Sequence, residues 1–101
     1  MRALSSIYMS KQFEAAVRRE LAKEELAMLS RGGSPDRPIR VESASVIEAR
    51  TTSLPCAQCG GEYRVLEHTR PTPHLRRVDV ACRHCSTPRT LWFTIASYEP
   101  N

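Results

Sequence analysis

All four cysteines of the chain fall into two Cys-x-x-Cys pairs, and this spacing constrains the fold more than any other feature. Cys56 pairs with Cys59 and Cys82 with Cys85, with 22 residues between the pairs. Each turn directs two thiolates at one point, so two turns supply the four sulfurs of a closed tetrahedral site, which structural Zn²⁺ prefers. The spacing therefore predicts one structural zinc ion. Iron is the less favoured alternative, because tetrahedral sulfur suits both metals.

The length and composition favour a small domain that needs a metal. With 101 residues, 6% of them aromatic, the chain can build only a modest core, so we expect a metal to stabilise it. No apolar run is long enough to cross a membrane, and the first seven residues lack the apolar block of a secretory signal. We therefore expect a cytoplasmic protein without a membrane partner, in which the thiols stay reduced and bind metal.

The net charge says little about partners. The formal charge is +4, and converting four neutral thiols into a zinc tetrathiolate lowers it to roughly +2. Overall charge is thus weak support for nucleic-acid binding, which must be judged from local clusters of basic residues.

Residues 11–30 are predicted to form a helix. The segment contains no Gly or Pro and is rich in good helix formers, Ser10 is a candidate N-cap, and Gly32 and Gly33 follow its end. The first nine residues have no clear pattern and are expected to fray.

The apolar residues of this helix occupy two faces, which is more than one contact with the rest of the chain needs. One face, with Phe13, Val17, Leu21 and Met28, can cover the sheet formed by the rest of the chain. The other, with Leu26 and Leu29, would then meet another protein or a second copy. The alternative is a helix that packs only on its own domain. The predicted interface residues are Phe13, Val17, Leu21, Leu26, Met28 and Leu29.

The remaining segments are mostly short strands. Alternating or β-branched patterns predict strands at 39–42, 62–68, 75–81 and 90–95, extended structure at 46–52, and a loop at 70–73. In the last strand, Leu91, Phe93 and Ile95 should share one face, which the 11–30 helix is expected to cover. The predicted segments are a helical region 1–33, a linker with short strands 34–53, a metal-binding region 54–96 and a tail 97–101.

The order of cysteine turn, strand, loop, strand, cysteine turn and strand resembles a zinc ribbon. The resemblance covers residues 54–96, through Leu54-Pro55-Cys56-Ala57-Gln58-Cys59-Gly60 and Val80-Ala81-Cys82-Arg83-His84-Cys85. Ala57 stands where ribbon turns often carry Pro, and Ser86 where Gly is common. The resemblance implies zinc and a three-stranded sheet. Together with the predicted helix, we expect a small α+β fold, an N-terminal helix followed by a three-stranded antiparallel zinc ribbon. It implies no single function, since ribbons contact DNA, RNA and proteins.

A cluster of basic residues supports an alternative function. Arginine suits phosphate and planar base contacts, and His74 and Trp92 could stack on bases. The other interpretation is a solvated or protein-binding face. The candidate nucleic-acid-binding residues are Arg70, His74, Arg76, Arg77, Arg83 and Arg89.

No residues predict catalysis. Four thiolates fill the coordination sphere of a metal, and the three histidines have no accompanying nucleophile or base, so we expect no enzyme and no small-molecule substrate. The sequence favours a cytosolic zinc-ribbon adaptor that binds another protein or itself through the helix. A nucleic-acid-binding ribbon is the alternative.

Overall fold

The computed structural model describes the backbone of residues 2–96 and the side chains of residues 11–96. The predicted tail 97–101 lies outside the described residues. The chain is α+β and elongated, measuring 67 × 24 × 19 Å. Its elements are α1 (Arg2–Leu29), β1 (Ile39–Val41), a 3₁₀ turn (Ala44–Val46), α2 (Ile47–Ser53), β2 (Tyr63–Thr72), β3 (Leu75–Cys82) and β4 (Pro88–Ile95).

Helix α1 is longer than predicted. It begins at Arg2, so Ser10 lies inside it and is not its N-cap. The first residues also lack Gly and Pro, which leaves nothing to stop the helix there. Its 28 residues span about 42 Å. Among the helices of residues 2–96, none combines the length and apolarity that a membrane crossing requires.

The end of α1 is tied to the sheet through Gly32. Gly32 has φ +90°, its carbonyl accepts the N–H of Trp92 at 2.9 Å, and a Cβ there would lie 2.6 Å from Ile39 Cδ1. Glycine is needed at this position for both its conformation and its lack of a side chain.

The sheet has four strands in the order β1-β4-β3-β2, not the three predicted. Strands β2, β3 and β4 are antiparallel, as expected. Strand β1 adds a parallel edge, with Ile39 beside Phe93 and Val41 beside Ile95. The strand itself was predicted, but its pairing depends on a contact more than 50 residues away, which a local pattern does not contain.

The predicted loop at 70–73 is wrong, because β2 continues through Pro71 to Thr72. The hairpin closes with a two-residue turn, Pro73–His74, between Thr72 and Leu75. Pro71 is tolerated because β2 is an edge strand and its register shifts between Thr69 and Thr72, so no ladder hydrogen bond is lost there.

The predicted extended structure at 46–52 is also wrong, because α2 occupies this segment. Ile47 and Thr51 lie one turn apart and are both fully buried, and the Thr51 hydroxyl donates to the Ile47 carbonyl at 2.8 Å. Burial of this face outweighs the weak helix propensity of the β-branched residues.

The core lies between the sheet and α2, and no described side chain of α1 belongs to it. The predicted faces of β4 are confirmed, since Leu91, Phe93 and Ile95 are buried while Trp92 is only half-buried. The expectation that α1 covers these residues is wrong, because Ile47 of α2 joins their cluster instead. The core residues are Ile39, Val41, Ile47, Cys56, Tyr63, Val78, Val80, Cys82, Leu91, Phe93 and Ile95.

Candidate metal centre

The four cysteine sulfurs meet at one end of the sheet, all within 4.8 Å of one another. The sulfurs of Cys56 and Cys85 are 3.7 Å apart, and those of Cys59 and Cys82 are 3.4 Å apart. Four ligands at the usual zinc–sulfur distance of about 2.3 Å would lie about 3.8 Å apart in a tetrahedron. The prediction that these four residues form one cluster is confirmed, and their spacing fits a single tetrahedral metal ion.

The first cysteine turn is held by its own backbone. The N–H of Cys56 donates to the Gly61 carbonyl at 2.7 Å, and the N–H of Gly60 donates to the Cys56 carbonyl at 2.8 Å. Two more N–H groups approach sulfur at 3.4 Å, that of Gln58 toward Cys56 and that of Gly61 toward Cys59. Gly60 has φ +78°, which lets the chain reverse directly after the second ligand.

The second turn repeats this pattern 26 residues later. The N–H of Cys82 donates to the Thr87 carbonyl, and that of Ser86 to the Cys82 carbonyl, both at 3.0 Å. The N–H of His84 lies 3.4 Å from the Cys82 sulfur. Ser86 has φ +63°, the conformation of Gly60, although it is not glycine. The absence of the usual glycine therefore does not change the shape of the turn.

Hydrogen-bond donors around the sulfurs favour the charged thiolate that metal binding requires. The hydroxyl and the backbone N–H of Thr87 lower the pKa of Cys85 to about 6, and the hydroxyl oxygen lies 3.0 Å from the sulfur. The N–H groups of Cys85 and His84 lower the pKa of Cys82. These shifts come from the shape of the turn, which directs its amides inward.

Cys59 behaves differently from its neighbours. The Gly61 N–H lowers the pKa of Cys59. The adjacent sulfurs, above all that of Cys82, and burial have the opposite effect and outweigh it, so the pKa is raised to about 12. Thiolates this close repel one another, so the last proton is hard to remove. A divalent cation offsets this repulsion, and the donor set as a whole therefore suits a metal ion.

The site has an inner and an outer half. Cys56 and Cys82 are buried, whereas Cys59 and Cys85 are exposed. Tyr63 contacts the first cysteine turn from the core side, since its buried hydroxyl accepts the Ala57 N–H at 3.0 Å. Burial raises the pKa of Tyr63, which keeps it a neutral phenol. Any metal held here is thus backed by the core and faces solvent on one side.

A side-chain network joins the first cysteine turn to α1. The side-chain amide of Gln58 donates to the Glu24 carboxylate at 2.6 Å and to the Glu20 carbonyl at 3.2 Å. Lys23 donates to the Gln58 carbonyl at 3.0 Å, and Arg89 pairs with Glu24 at 2.7 Å. Sequence reasoning missed this network, because nothing in the local pattern relates residues more than 30 positions apart.

The structure does not bring the six candidate nucleic-acid-binding residues onto one face. Arg76 and Arg77 lie beside Phe93 and Trp92 respectively, on opposite faces of the sheet. Arg77 pairs with Asp79 at 3.1 Å, and the Arg89 side chain is only 7% exposed. The exposed members are Arg70, His74, Arg77 and Arg83.

The predicted interface residues of α1 are mostly uncovered. Val17 is half-buried, and the exposed members are Phe13, Leu21, Leu26, Met28 and Leu29, at 56–71% exposure. The prediction that Phe13, Val17, Leu21 and Met28 cover the sheet is wrong. Three of these side chains are exposed, and the polar network above makes the contact instead.

The comparisons with known proteins give no relative: no family model matches the chain, and no curated protein or solved structure is detectably similar to it. What the chain does must therefore be inferred from its own residues.

Proposed function

We propose that this chain is a zinc-ribbon protein that acts as a non-catalytic, protein-binding adaptor. The observation that carries the proposal is the convergence of four cysteine sulfurs within 4.8 Å, in two turns of the same backbone geometry. A structural Zn²⁺ on Cys56, Cys59, Cys82 and Cys85 would cross-link the start of β2 to the end of β3. Zinc is preferred to iron because it binds such sites without redox chemistry.

A structural role suits this site better than a catalytic one. All four tetrahedral positions would be taken by thiolates, whereas a catalytic zinc keeps one position for water or substrate. Among residues 11–96, the four cysteines are the one group of His, Cys, Asp or Glu side chains with metal-binding geometry. We therefore assign the metal to holding the fold together.

The adaptor role is supported by α1. The ribbon and α2 build a core without any described side chain of α1, yet the helix exposes five large apolar side chains. Exposed apolar surface of this kind is typical of protein-binding sites. Nucleic-acid binding is the less favoured alternative, because Asp79 and Glu24 pair with two of the arginines involved.

The metal is tested by elemental analysis and chelation of the purified chain. We expect one zinc per chain, and we expect its removal to unfold residues 54–96, since structural zinc contributes on the order of 10–16 kcal/mol in small modules. Cys82→Ser should abolish zinc binding, whereas His84→Ala, an exposed neighbour in the same turn, should retain it. A folded, metal-free protein would refute the assignment.

The adaptor role is tested by affinity capture from the native host. A protein partner should survive nuclease treatment and moderate salt, and Leu26→Glu with Leu29→Glu should release it. Complete loss of binding with nuclease, together with a steep fall in affinity with salt, would support the nucleic-acid alternative instead.

A further inference from the structure

One face of α1 points away from the ribbon. The helix contacts the first cysteine turn through Glu20, Lys23 and Glu24. At 100° per residue, the opposite side contains a stripe with a seven-residue repeat, Ala15, Ala22 and Leu29, flanked by Leu26. Leu26 is 66% exposed and Leu29 60% exposed, so this stripe is open to a partner.

This stripe is self-complementary about Ala22. Arg18 lies four residues before Ala22 and Glu25 three residues after it, and at 100° per residue both fall on the same side of the stripe. In an antiparallel pair of α1 helices with a two-fold axis at Ala22, Arg18 of each copy therefore lies beside Glu25 of the other. The same symmetry places the small Ala15 opposite Leu29, which allows the two backbones to approach closely.

Leu26 completes the contact. Under the same symmetry it lies beside Arg19 of the other copy, whose aliphatic stem can cover an apolar side chain while its charge stays in water. The small side chain of Ala22 at the axis leaves room for this packing.

The charge distribution selects the antiparallel orientation. Within the overlap of residues 15–29, the basic Arg18 and Arg19 precede Ala22 and the acidic Glu25 follows it. An antiparallel pair centred on Ala22 brings these opposite charges together at both ends of the overlap, and it also opposes the helix dipoles. A parallel pair would place like charges together.

We propose that the partner of this face is a second copy of the same chain, which forms an antiparallel α1–α1 dimer centred on Ala22. This assignment rests on the proposed adaptor function and names its partner. The two ribbons fit without overlap, because each contacts its helix on the side opposite Ala22. The ribbons then lie on opposite outer sides of the helix pair.

The test is the mass of the zinc-loaded full chain in solution, measured by sedimentation equilibrium over a concentration series. Wild type should approach twice 11.4 kDa. Arg18→Glu or Glu25→Arg alone should weaken the dimer roughly tenfold, because two symmetry-related contacts change from attraction to repulsion. Combining both substitutions should restore it, because the ion pairs are re-formed with reversed polarity.

Two glutamate substitutions separate the dimer face from the rest of α1. Ala22→Glu places two carboxylates against each other at the axis and should give a monomer. Ala16→Glu makes the same change at another exposed alanine, about 120° around the helix, and should remain dimeric. Circular dichroism of each variant verifies that the fold is intact.

The dimer and the adaptor function fail in different ways. A wild-type monomer that binds zinc and still captures a different host protein would overturn the dimer and leave the adaptor function standing. Failure of the double charge reversal to restore the mass would likewise overturn the proposed pairing. Absence of metal from the purified protein would instead overturn the proposed function.

Discussion

Single residues decide the shape of the cysteine turns. Gly60 and Ser86 occupy equivalent positions, one residue after the last ligand of each turn, and both have positive φ. For serine this conformation costs roughly 1–2 kcal/mol relative to the right-handed region. The second turn carries this cost because its hydrogen bonds fix the backbone on both sides of Ser86.

We therefore predict that Ser86→Gly stabilises the protein by up to about 1 kcal/mol, since glycine adopts this conformation freely but loses more entropy on folding. Gly60→Ala should destabilise the protein by roughly 1 kcal/mol, because alanine adopts the positive φ of this position only at an energetic cost. No atom lies within 4 Å of the added Cβ at Gly60, so the effect is purely conformational. Urea unfolding of the zinc-loaded protein measures both, and equal stability of all three proteins would contradict the explanation.

At the scale of elements, α2 shows how burial selects a helix. Ile47 is completely buried in the core, whereas its neighbour Val46 is 42% exposed. The helix is only seven residues long, too short to be stable alone in water. Its existence therefore depends on the contact that Ile47 makes with the sheet.

Ile47→Ala should lower the free energy of unfolding by about 2–5 kcal/mol, because it removes buried methyl groups and leaves a cavity. Val46→Ala is the matched control in the same segment, and it should cost less than roughly 1 kcal/mol. Thermal unfolding followed by circular dichroism distinguishes the two. Similar losses for both variants would mean that α2 does not pack as described.

At the scale of the whole molecule, the position of α1 depends on a few polar contacts. Glu24 accepts hydrogen bonds from Gln58 in the first cysteine turn and from the buried Arg89 on β4. These two donors, Gln58 first, lower the pKa of Glu24 below 4.5. Glu24 thus links the helix, the metal-binding turn and the sheet.

Glu24→Gln should weaken the docking of α1 by about 1–2 kcal/mol, because a charge-assisted contact is lost at a partly exposed site. Hydrogen–deuterium exchange of amides 20–29 should then be roughly tenfold faster than in wild type. Glu20→Gln is the control, since the contact of Glu20 with Gln58 uses only its backbone carbonyl.

The pH dependence of this difference follows from the lowered pKa. A carboxylate with a depressed pKa contributes its full stabilisation above its unfolded value of 4.5, and this is lost as the pH falls through the folded value. The difference between wild type and Glu24→Gln should therefore be the same at pH 7 and pH 5. If the difference in docking free energy between the two proteins decreases from pH 7 to pH 5, another group controls the docking.

The sequence by itself determined the features that depend on short spacing. Two Cys-x-x-Cys turns bring four sulfurs together because each ligand pair is set by its own turn, and alternation along β4 assigns Leu91, Phe93 and Ile95 to one face. The helical nature of 11–29 likewise follows from local propensity.

Only the tertiary structure decided the features that depend on distant residues. The parallel pairing of β1 with β4 and the burial that makes α2 a helix each require the complete sheet. The docking of α1 through Glu24 and Gln58 joins residues 34 positions apart. Such contacts form because the folded chain brings these groups together, and no local pattern of apolar or charged residues specifies which pairs will meet.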